Sequence, residues 1–297
     1  MTNTVRAENV RIPLEVDFRS GDWEHFRIRA QAPMTSRRIY AVADIHGYDF
    51  QLNSMVRRIW EDMAEVPSEN PIIVFLGDYI DRGPNSKLVV ERLCELQKSR
   101  ILDCVLLRGN HEQWLIDFSQ DSTVLPVWGR KGGVQTLCSY GVPLSQIEAG
   151  IEDPLVAEDV RHQFLNLVPV EHMAFFRSLL SHFEFGDYFF AHAGVDPDIP
   201  LDQQTDHDLT WIRYKFLESR KDFGKVVVHG HTPAKNVESL PNRINVDTEI
   251  YTRGVLNCVI LEDRTRHLLS VKGDSSMPAN VKISLPDSHH SRLPSIK

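Results

Sequence analysis

Short apolar runs that alternate with helical stripes restrict the fold of this chain more than any other feature. The runs cover residues 39–43, 72–76 and 105–107, and apolar residues at helical spacing lie between them. Three successive strand–helix units predict a parallel sheet with right-handed crossovers, and therefore an α/β fold. In such a sheet the ligand crevice lies outside the carboxyl ends of the strands.

The sequence after residue 112 adds helices and then more strands. Residues from about 120 to 185 carry helical stripes, such as Val156, Val160 and Phe164, and predict a mostly helical insert. Apolar runs at 188–191 and 226–228 predict two further strands. Residues 243–271 alternate in the manner of strands.

The two ends of the chain differ from the region between them. Residues 10–18 alternate apolar and charged side chains, which predicts an edge strand because Pro13 would interrupt a ladder of hydrogen bonds. We expect three segments: an N-terminal β-hairpin extension over residues 1–36, a main domain over 37–272, and a flexible tail over 273–297, which is rich in serine and proline.

Composition excludes several classes of protein. No apolar stretch approaches the roughly 18 residues of a membrane span, and the first ten residues lack the blocks of a secretory signal. We therefore expect a cytoplasmic protein without a membrane partner. The formal net charge of −8 argues against a nucleic-acid partner. The four cysteines are scattered singly, which argues against disulfides and thiolate zinc sites.

Polar clusters follow five of the predicted strands. They are Asp44-Ile45-His46-Gly47, Gly77-Asp78-Tyr79-Ile80-Asp81-Arg82-Gly83, Arg108-Gly109-Asn110-His111-Glu112, Ala191-His192-Ala193-Gly194 and His229-Gly230-His231-Thr232. A single aspartate after a strand usually forms a turn or caps a helix. Five such clusters at one edge of a sheet indicate instead a site of mixed oxygen and imidazole ligands, which suits manganese, iron or zinc.

The order of these clusters resembles the signature of the calcineurin-like metallophosphoesterase superfamily, in its bacterial serine/threonine phosphoprotein phosphatase branch. The resemblance covers residues 37–262, and includes Trp128 to Gly133 and Trp211-Ile212-Arg213. It implies a four-layer αββα sandwich, in which two mixed β-sheets are flanked by helices. It also implies two divalent metal ions, with Mn²⁺ as the first choice and iron or zinc as alternatives.

The resemblance assigns a role to each matching residue. Asp44 and His46 would hold the first metal, and Asp78 would bridge both. The second metal would be completed by Asn110, His192 and His231. His229 precedes the motif and is interpreted as structural.

The expected reaction follows from two cations that share one water-derived nucleophile. Such a pair lowers the pKa of a bridging water, so that hydroxide forms near neutral pH, and aligns this hydroxide for in-line attack on phosphorus. Arg82, Arg108 and Arg213 would bind the nonbridging phosphate oxygens. The resemblance implies that His111 protonates the leaving group and that Asp81 orients its ring.

The substrate is less constrained than the reaction. A phosphorylated protein or peptide, with phosphate on serine, threonine or tyrosine, is the first expectation. The alternatives are a symmetrical diadenosine tetraphosphatase and a non-catalytic phosphate-binding scaffold. Pro233 stands where nuclease-like relatives have a second histidine, and Glu249 stands where glycine is common. A carboxylate at 249 that faced the cleft would repel dianionic substrates.

Overall fold

Two mixed β-sheets form the centre of the molecule. The computed structural model describes residues 12–15, 37–68, 70–99, 103–262 and 265–273. The first sheet has six strands in the order β1-β11-β10-β2-β3-β4. Its strands are β1 (Ile12–Pro13), β2 (Ile39–Val42), β3 (Ile72–Phe75), β4 (Asp103–Leu106), β10 (Val255–Glu262) and β11 (Thr265–Lys272).

The second sheet has five strands in the order β5-β6-β7-β9-β8. They are β5 (His182–Phe185), β6 (Tyr188–Ala191), β7 (Val226–His229), β8 (Glu238–Ser239) and β9 (Arg243–Asn245). Strands β2, β3 and β4 are parallel in the first sheet, as are β6, β7 and β9 in the second. Apolar runs that are buried on both faces favour this arrangement, because parallel strands need cover on each side.

Helices flank the sheets and supply most of the remaining core. They are α1 (Asp49–Glu65), α2 (Ser86–Ser99), α3 (Asn110–Gln120), α4 (Leu125–Trp128), α5 (Val134–Ser139), α6 (Leu144–Glu152), α7 (Pro154–Leu167), α8 (Val170–Ser178), α9 (Asp206–Trp211), α10 (Tyr214–Leu217) and α11 (Ile250–Arg253). A π-helical segment, Gly129–Gly133, joins α4 to α5. Helix α1 shows the apolar periodicity of a helix that packs on a sheet. Its apolar residues at intervals of three to four, Leu52, Met55, Val56 and Ile59, are fully buried.

The α/β class with two mixed sheets flanked by helices is thus confirmed. One detail differs: residues 243–271 are not all strand, because Ile250–Arg253 forms the short helix α11. Glu249 and Gly254, on either side of this helix, have positive φ angles and turn the chain out of the extended conformation.

The chain ends are described only in part. Ile12 and Pro13 pair with Leu268 and His267 at the edge of the six-stranded sheet. Ile12 is 51% exposed, so this short pair adds an edge and little core. Most of the predicted N-terminal hairpin, and the predicted tail after Gly273, lie outside the described residues. No helix in the described ranges is long and apolar enough to cross a membrane, and the cytoplasmic location stays a prediction.

Candidate metal centre

Tight turns after the parallel strands carry the predicted site residues. Five of these residues have left-handed backbones with positive φ: His46, Asp78, Asp81, Arg82 and His231. Non-glycine residues adopt this region at a cost and mostly where surrounding structure holds them there. The turns also approach one another closely, since a Cβ atom on Gly109 would lie 2.1 Å from Oδ1 of Asp78. The strained turns bring side chains from separate strands into one buried cluster.

Asp78 lies at the middle of this cluster. Its Oδ1 is 3.3 Å from Nε2 of His192, and its Oδ2 is 3.6 Å from Nε2 of His46. Asp78 belongs to two groups of residues that could hold a metal ion. One group is His46, Asp78 and His111, and the other is Asp78, His192 and His231; within each group the potential ligand atoms lie within 4.8 Å of one another. This geometry supports the predicted bridging role of Asp78, which stays a prediction.

The histidines present their Nε2 atoms to the cluster. Nδ1 of His46 lies 2.9 Å from the carbonyl oxygen of Ile80, and Nδ1 of His192 lies 2.9 Å from that of Leu76. Because a carbonyl only accepts, each Nδ1 carries the proton and each Nε2 is free to bind a cation. Nε2 of His231 is buried and has no hydrogen-bond partner within the described residues.

The electrostatics of the cluster also favour cations. Burial raises the pKa of Asp44, and Asp247 and Asp78 raise it further. Burial likewise raises the pKa of Asp247 to about 6. Three carboxylates are therefore buried close together, an arrangement whose repulsion divalent cations relieve. Burial lowers the pKa values of the histidines (His46, His192 and His231), which keeps them neutral as metal ligands at pH 7.

The donor set fits a pair of divalent cations. Asp44 accepts the backbone N–H of His231 at 3.1 Å, and Oδ1 of Asn110 lies 3.1 Å from Nε2 of His192, so both stand beside the two groups. Carboxylate, amide and imidazole donors without thiolate suit a first-row transition metal. All six predicted ligands lie in or beside this cluster. Their individual assignments stay predictions, and the donors do not choose among manganese, iron and zinc.

His111 and Asp81 form a short hydrogen-bonded pair next to the cluster. Nδ1 of His111 lies 2.6 Å from Oδ2 of Asp81. Trp128 donates to the same oxygen at 2.7 Å, and Thr136 donates to Oδ1 at 2.6 Å. Burial lowers the pKa of His111, but Asp78 and the bond to Asp81 outweigh it and the pKa lies above its ordinary value. The ring is thereby suited to carry a proton, as its predicted role requires.

Glu112 is a structural member of the site that the sequence analysis did not assign. It is fully buried, and one carboxylate oxygen accepts the backbone N–H groups of Asp78 and Gly109 at 2.8 and 2.9 Å. The other oxygen accepts the N–H of Tyr79 at 2.7 Å. Glu112 thus ties two ligand-bearing turns together. The sequence feature that could have indicated this role is the position of Glu112 directly after His111 in one of the five polar clusters.

The three predicted phosphate-binding arginines have different surroundings. Nη2 of Arg82 lies 3.5 Å from Nε2 of His111. Arg108 donates to Gln113 and to the carbonyl of Leu179, each at 3.2 Å. Arg213 is exposed, and its charge contributes to the lowered pKa values of His192 and His231.

Two half-buried tryptophans flank the metal ligands. The rings of Trp114 and Trp211 meet edge to face with centroids 4.8 Å apart. Trp114 contacts His111 at 5.1 Å, and Trp211 lies 6.4 Å from His231. We call Trp114 and Trp211 the aromatic wall. Sequence analysis missed it because nearly a hundred residues separate the two tryptophans.

Comparison with known proteins identifies the family. The model of the calcineurin-like phosphoesterase family matches residues 37–256. The chain therefore belongs to the calcineurin-like phosphoesterases, as its polar clusters predicted, and is a metal-dependent phosphoesterase by family.

Individual relatives are more distant. The chain is 25% identical to an asymmetrical bis(5'-nucleosyl)-tetraphosphatase, PrpE, of Anoxybacillus flavithermus over 80% of this chain and 94% of that protein. It is also 25% identical to the PrpE protein of Oceanobacillus iheyensis, over 71% of this chain and 83% of that one. A crystal structure of a candidate diadenosine tetraphosphatase matches with a TM-score of 0.55 and 19% identity, covering 82% of this chain and 96% of that chain. That structural match supports the fold alone.

Proposed function

We propose that this chain hydrolyses dinucleoside tetraphosphates at a centre of two divalent cations. The similarity to bis(5'-nucleosyl)-tetraphosphatases over most of both chains carries this choice. The sequence analysis placed phosphoproteins first because of short motifs. Those motifs describe only the phosphorus–oxygen cleavage site, which both substrate classes would use, so similarity over the whole domain weighs more.

The chain's own residues would bind the phosphates and move one proton. The predicted ligands (Asp44, His46, Asp78, Asn110, His192 and His231) would hold the cations. When bound, such cations activate water and neutralise phosphate charge. Arg82, Arg108 and Arg213 would bind nonbridging oxygens of the reacting phosphate. His111 would then donate the proton at Nε2 to the departing oxygen, since its Nδ1 is held by Asp81.

The aromatic wall offers a place for the nucleoside. Trp114 and Trp211 are only half buried, although they lie beside His111 and His231. Stacking of a base on an aromatic side chain is worth about 1–3 kcal/mol. A nucleoside attached to the reacting phosphate chain would reach this wall, whereas inorganic polyphosphate would gain nothing from it.

A side-by-side assay tests the proposal. The manganese-loaded protein would be given diadenosine tetraphosphate, inorganic tripolyphosphate, and peptides with phosphoserine, phosphothreonine or phosphotyrosine. We expect the highest kcat/KM for diadenosine tetraphosphate, and Trp114→Leu should raise its KM roughly tenfold while leaving tripolyphosphate unaffected. Higher kcat/KM on a phosphopeptide than on the dinucleotide would overturn the proposal.

Phosphate removal from proteins is the second candidate. The hydrogen-bonded pair of His111 and Asp81 favours it, because the alkoxide of a serine is a poor leaving group and needs a proton. The phosphate leaving group of a nucleotide needs less help. This candidate would take a phosphorylated protein or peptide as partner, and the same assay decides between the two.

A further inference from the structure

A cavity of about 410 Å³ lies where the edges of the two β-sheets meet, and we call it the edge cavity. Its lining includes β8, the edge strand of the five-stranded sheet, and Leu14 and Glu15, which follow the edge strand β1 of the other sheet. Arg266 of β11 donates to Oγ of Ser239 in β8 at 2.7 Å, so the two sheets are held together beside the cavity. None of the predicted metal ligands or phosphate-binding arginines is among the described residues that line it. Its volume is in the range of small-molecule sites.

The hydrogen bonds that the described residues give Arg243, a buried cation in the lining of the edge cavity, all go to neutral groups. Arg243 is 4% exposed. Its guanidinium donates to the carbonyl oxygens of Leu217 and Ser219 and to Oδ1 of Asn242. Its Nε has no hydrogen-bond partner within the described residues. Because arginine is rarely buried without a partner of opposite charge, this guanidinium is suited to bind an anion.

Two exposed cations, Arg220 and Lys235, line the same cavity. Burial, and with it the charge of Arg220, lowers the pKa of Arg243 to about 10, because the two guanidinium groups repel each other. The lining also contains two exposed carboxylates, Glu15 and Glu238. Three cations and two carboxylates leave one positive charge in excess on a protein whose net charge is −8. An anion in the edge cavity would neutralise this excess and reduce the repulsion between the two arginines.

Apolar side chains line the edge cavity together with these cations. Leu14 and Val237 are half-buried, and Leu240 is buried. Apolar ligand surface that is removed from water against them would add to the affinity. The cavity therefore offers both charge and apolar contact, which suits an organic anion better than a bare inorganic one.

We propose that the edge cavity is a second binding site and that it takes a small organic phosphate. A terminal phosphate presents three oxygens, so it can accept from Arg220, Lys235 and Arg243 together, whereas a carboxylate presents only two. The three apolar side chains would cover the organic group of the ligand. This site is separate from the metal centre and does not depend on the proposed hydrolysis.

Phenylphosphonate is the probe for this site. Its carbon–phosphorus bond resists hydrolysis, and at pH 8 it combines a phosphate-like dianion with an apolar ring. Calorimetry would be done on the full chain, once loaded with manganese and once after metal removal by EDTA and dialysis. We expect one molecule to bind per chain without metal, and a second to bind at the metal centre when manganese is present. No binding without metal at millimolar probe would overturn the inference.

Charge variants locate the metal-independent binding. Arg220→Gln and Lys235→Gln should each weaken it about tenfold, as for the loss of one hydrogen bond to a charged group. Glu238→Gln removes a carboxylate from the lining and should tighten it about two- to fivefold. Arg57→Gln changes an arginine of α1 whose side chain is 71% exposed, and this matched control should leave Kd unchanged. Equal Kd values for all four variants would mean that the probe binds elsewhere.

Two smaller anions test the class of ligand. Inorganic phosphate lacks the apolar ring, and benzoate lacks the phosphoryl group. Without metal, both should bind at least about fivefold more weakly than phenylphosphonate. Inorganic phosphate of equal affinity would show that the apolar side chains contribute nothing, and benzoate of equal affinity would show that phosphate is not selected. Either result would contradict a site for organic phosphates.

Discussion

His111 has the surroundings of a proton donor whose direction is fixed. Asp81 binds its Nδ1 at 2.6 Å, and both oxygens of Asp81 are themselves held, by Trp128 and Thr136. These three hydrogen bonds, on both oxygens, restrict rotation of the carboxylate away from the ring. Nε2 of His111 is therefore the atom available to a departing oxygen, next to Arg82.

Replacement of His111 should affect substrates according to their leaving groups. His111→Asn removes the proton donor, and we expect turnover of an alkyl phosphate such as a phosphoserine peptide to fall by roughly 10²–10⁴. Turnover of p-nitrophenyl phosphate should fall much less, because its leaving group departs without a proton. Steady-state kcat values on the two substrates make the comparison. Equal losses would mean that His111 positions phosphate and does not donate a proton.

For single residues, the sequence predicted the site best where the predicted metal ligands lie in the motifs at the strand ends. It predicted Asp78, His192 and His231, and the structure places all three together. It gave no role to Glu112, whose contacts are to backbone N–H groups, because such groups are the same for every residue type.

The segment from α4 to α5 supports the site without supplying a metal ligand. Its π-helical part, Gly129–Gly133, contains Gly132 with φ of 120°, a conformation that side chains rarely adopt. The carbonyl of Gly132 accepts the N–H of Arg82 at 3.2 Å, and a Cβ at 132 would lie 2.6 Å from that nitrogen. The element thus fixes the backbone of Arg82 as well as the carboxylate of Asp81.

Alanine at Gly132 should impair both stability and activity. The methyl group would displace the turn at Arg82, and we expect a loss of several kcal/mol of unfolding free energy, measured by urea denaturation, with kcat/KM reduced at least tenfold. Gly186→Ala is the matched control: its φ is +55°, and a Cβ there meets nothing within 4 Å. That control should cost only about 1 kcal/mol and leave kcat/KM unchanged. Similar effects of the two substitutions would disprove the special role of Gly132.

For the whole molecule, the predicted metal ligands come from two sheets that are formed by distant parts of the chain. Asp44, Asp78 and Asn110 follow strands of the six-stranded sheet, whereas His192 and His231 follow strands of the five-stranded sheet. Ions held between them would stabilise the folded state and bind the unfolded chain weakly. Ligand binding of that kind adds about 2.7 kcal/mol at a hundredfold excess over Kd.

Manganese should therefore raise the thermal stability of the protein. We expect Tm in saturating Mn²⁺ to exceed Tm in EDTA by several degrees, at roughly 2–4 °C per kcal/mol for a chain of this size. His231→Ala should remove much of that difference, which differential scanning fluorimetry would record. His182→Ala, an exposed histidine of β5, should retain it. An identical manganese shift in both variants would exclude His231 as a ligand.

The sequence by itself determined the strand–helix order, the family and the residues at the strand ends, because periodicity and motif spacing are local along the chain. The tertiary structure decided the rest: that Trp128 and Thr136 bind Asp81, that Trp114 meets Trp211, and that Tyr251 lies beneath Arg82. These pairs are separated by 47 to 169 residues along the chain. Their contacts depend on how the two sheets and the helical insert pack, and no local pattern encodes that.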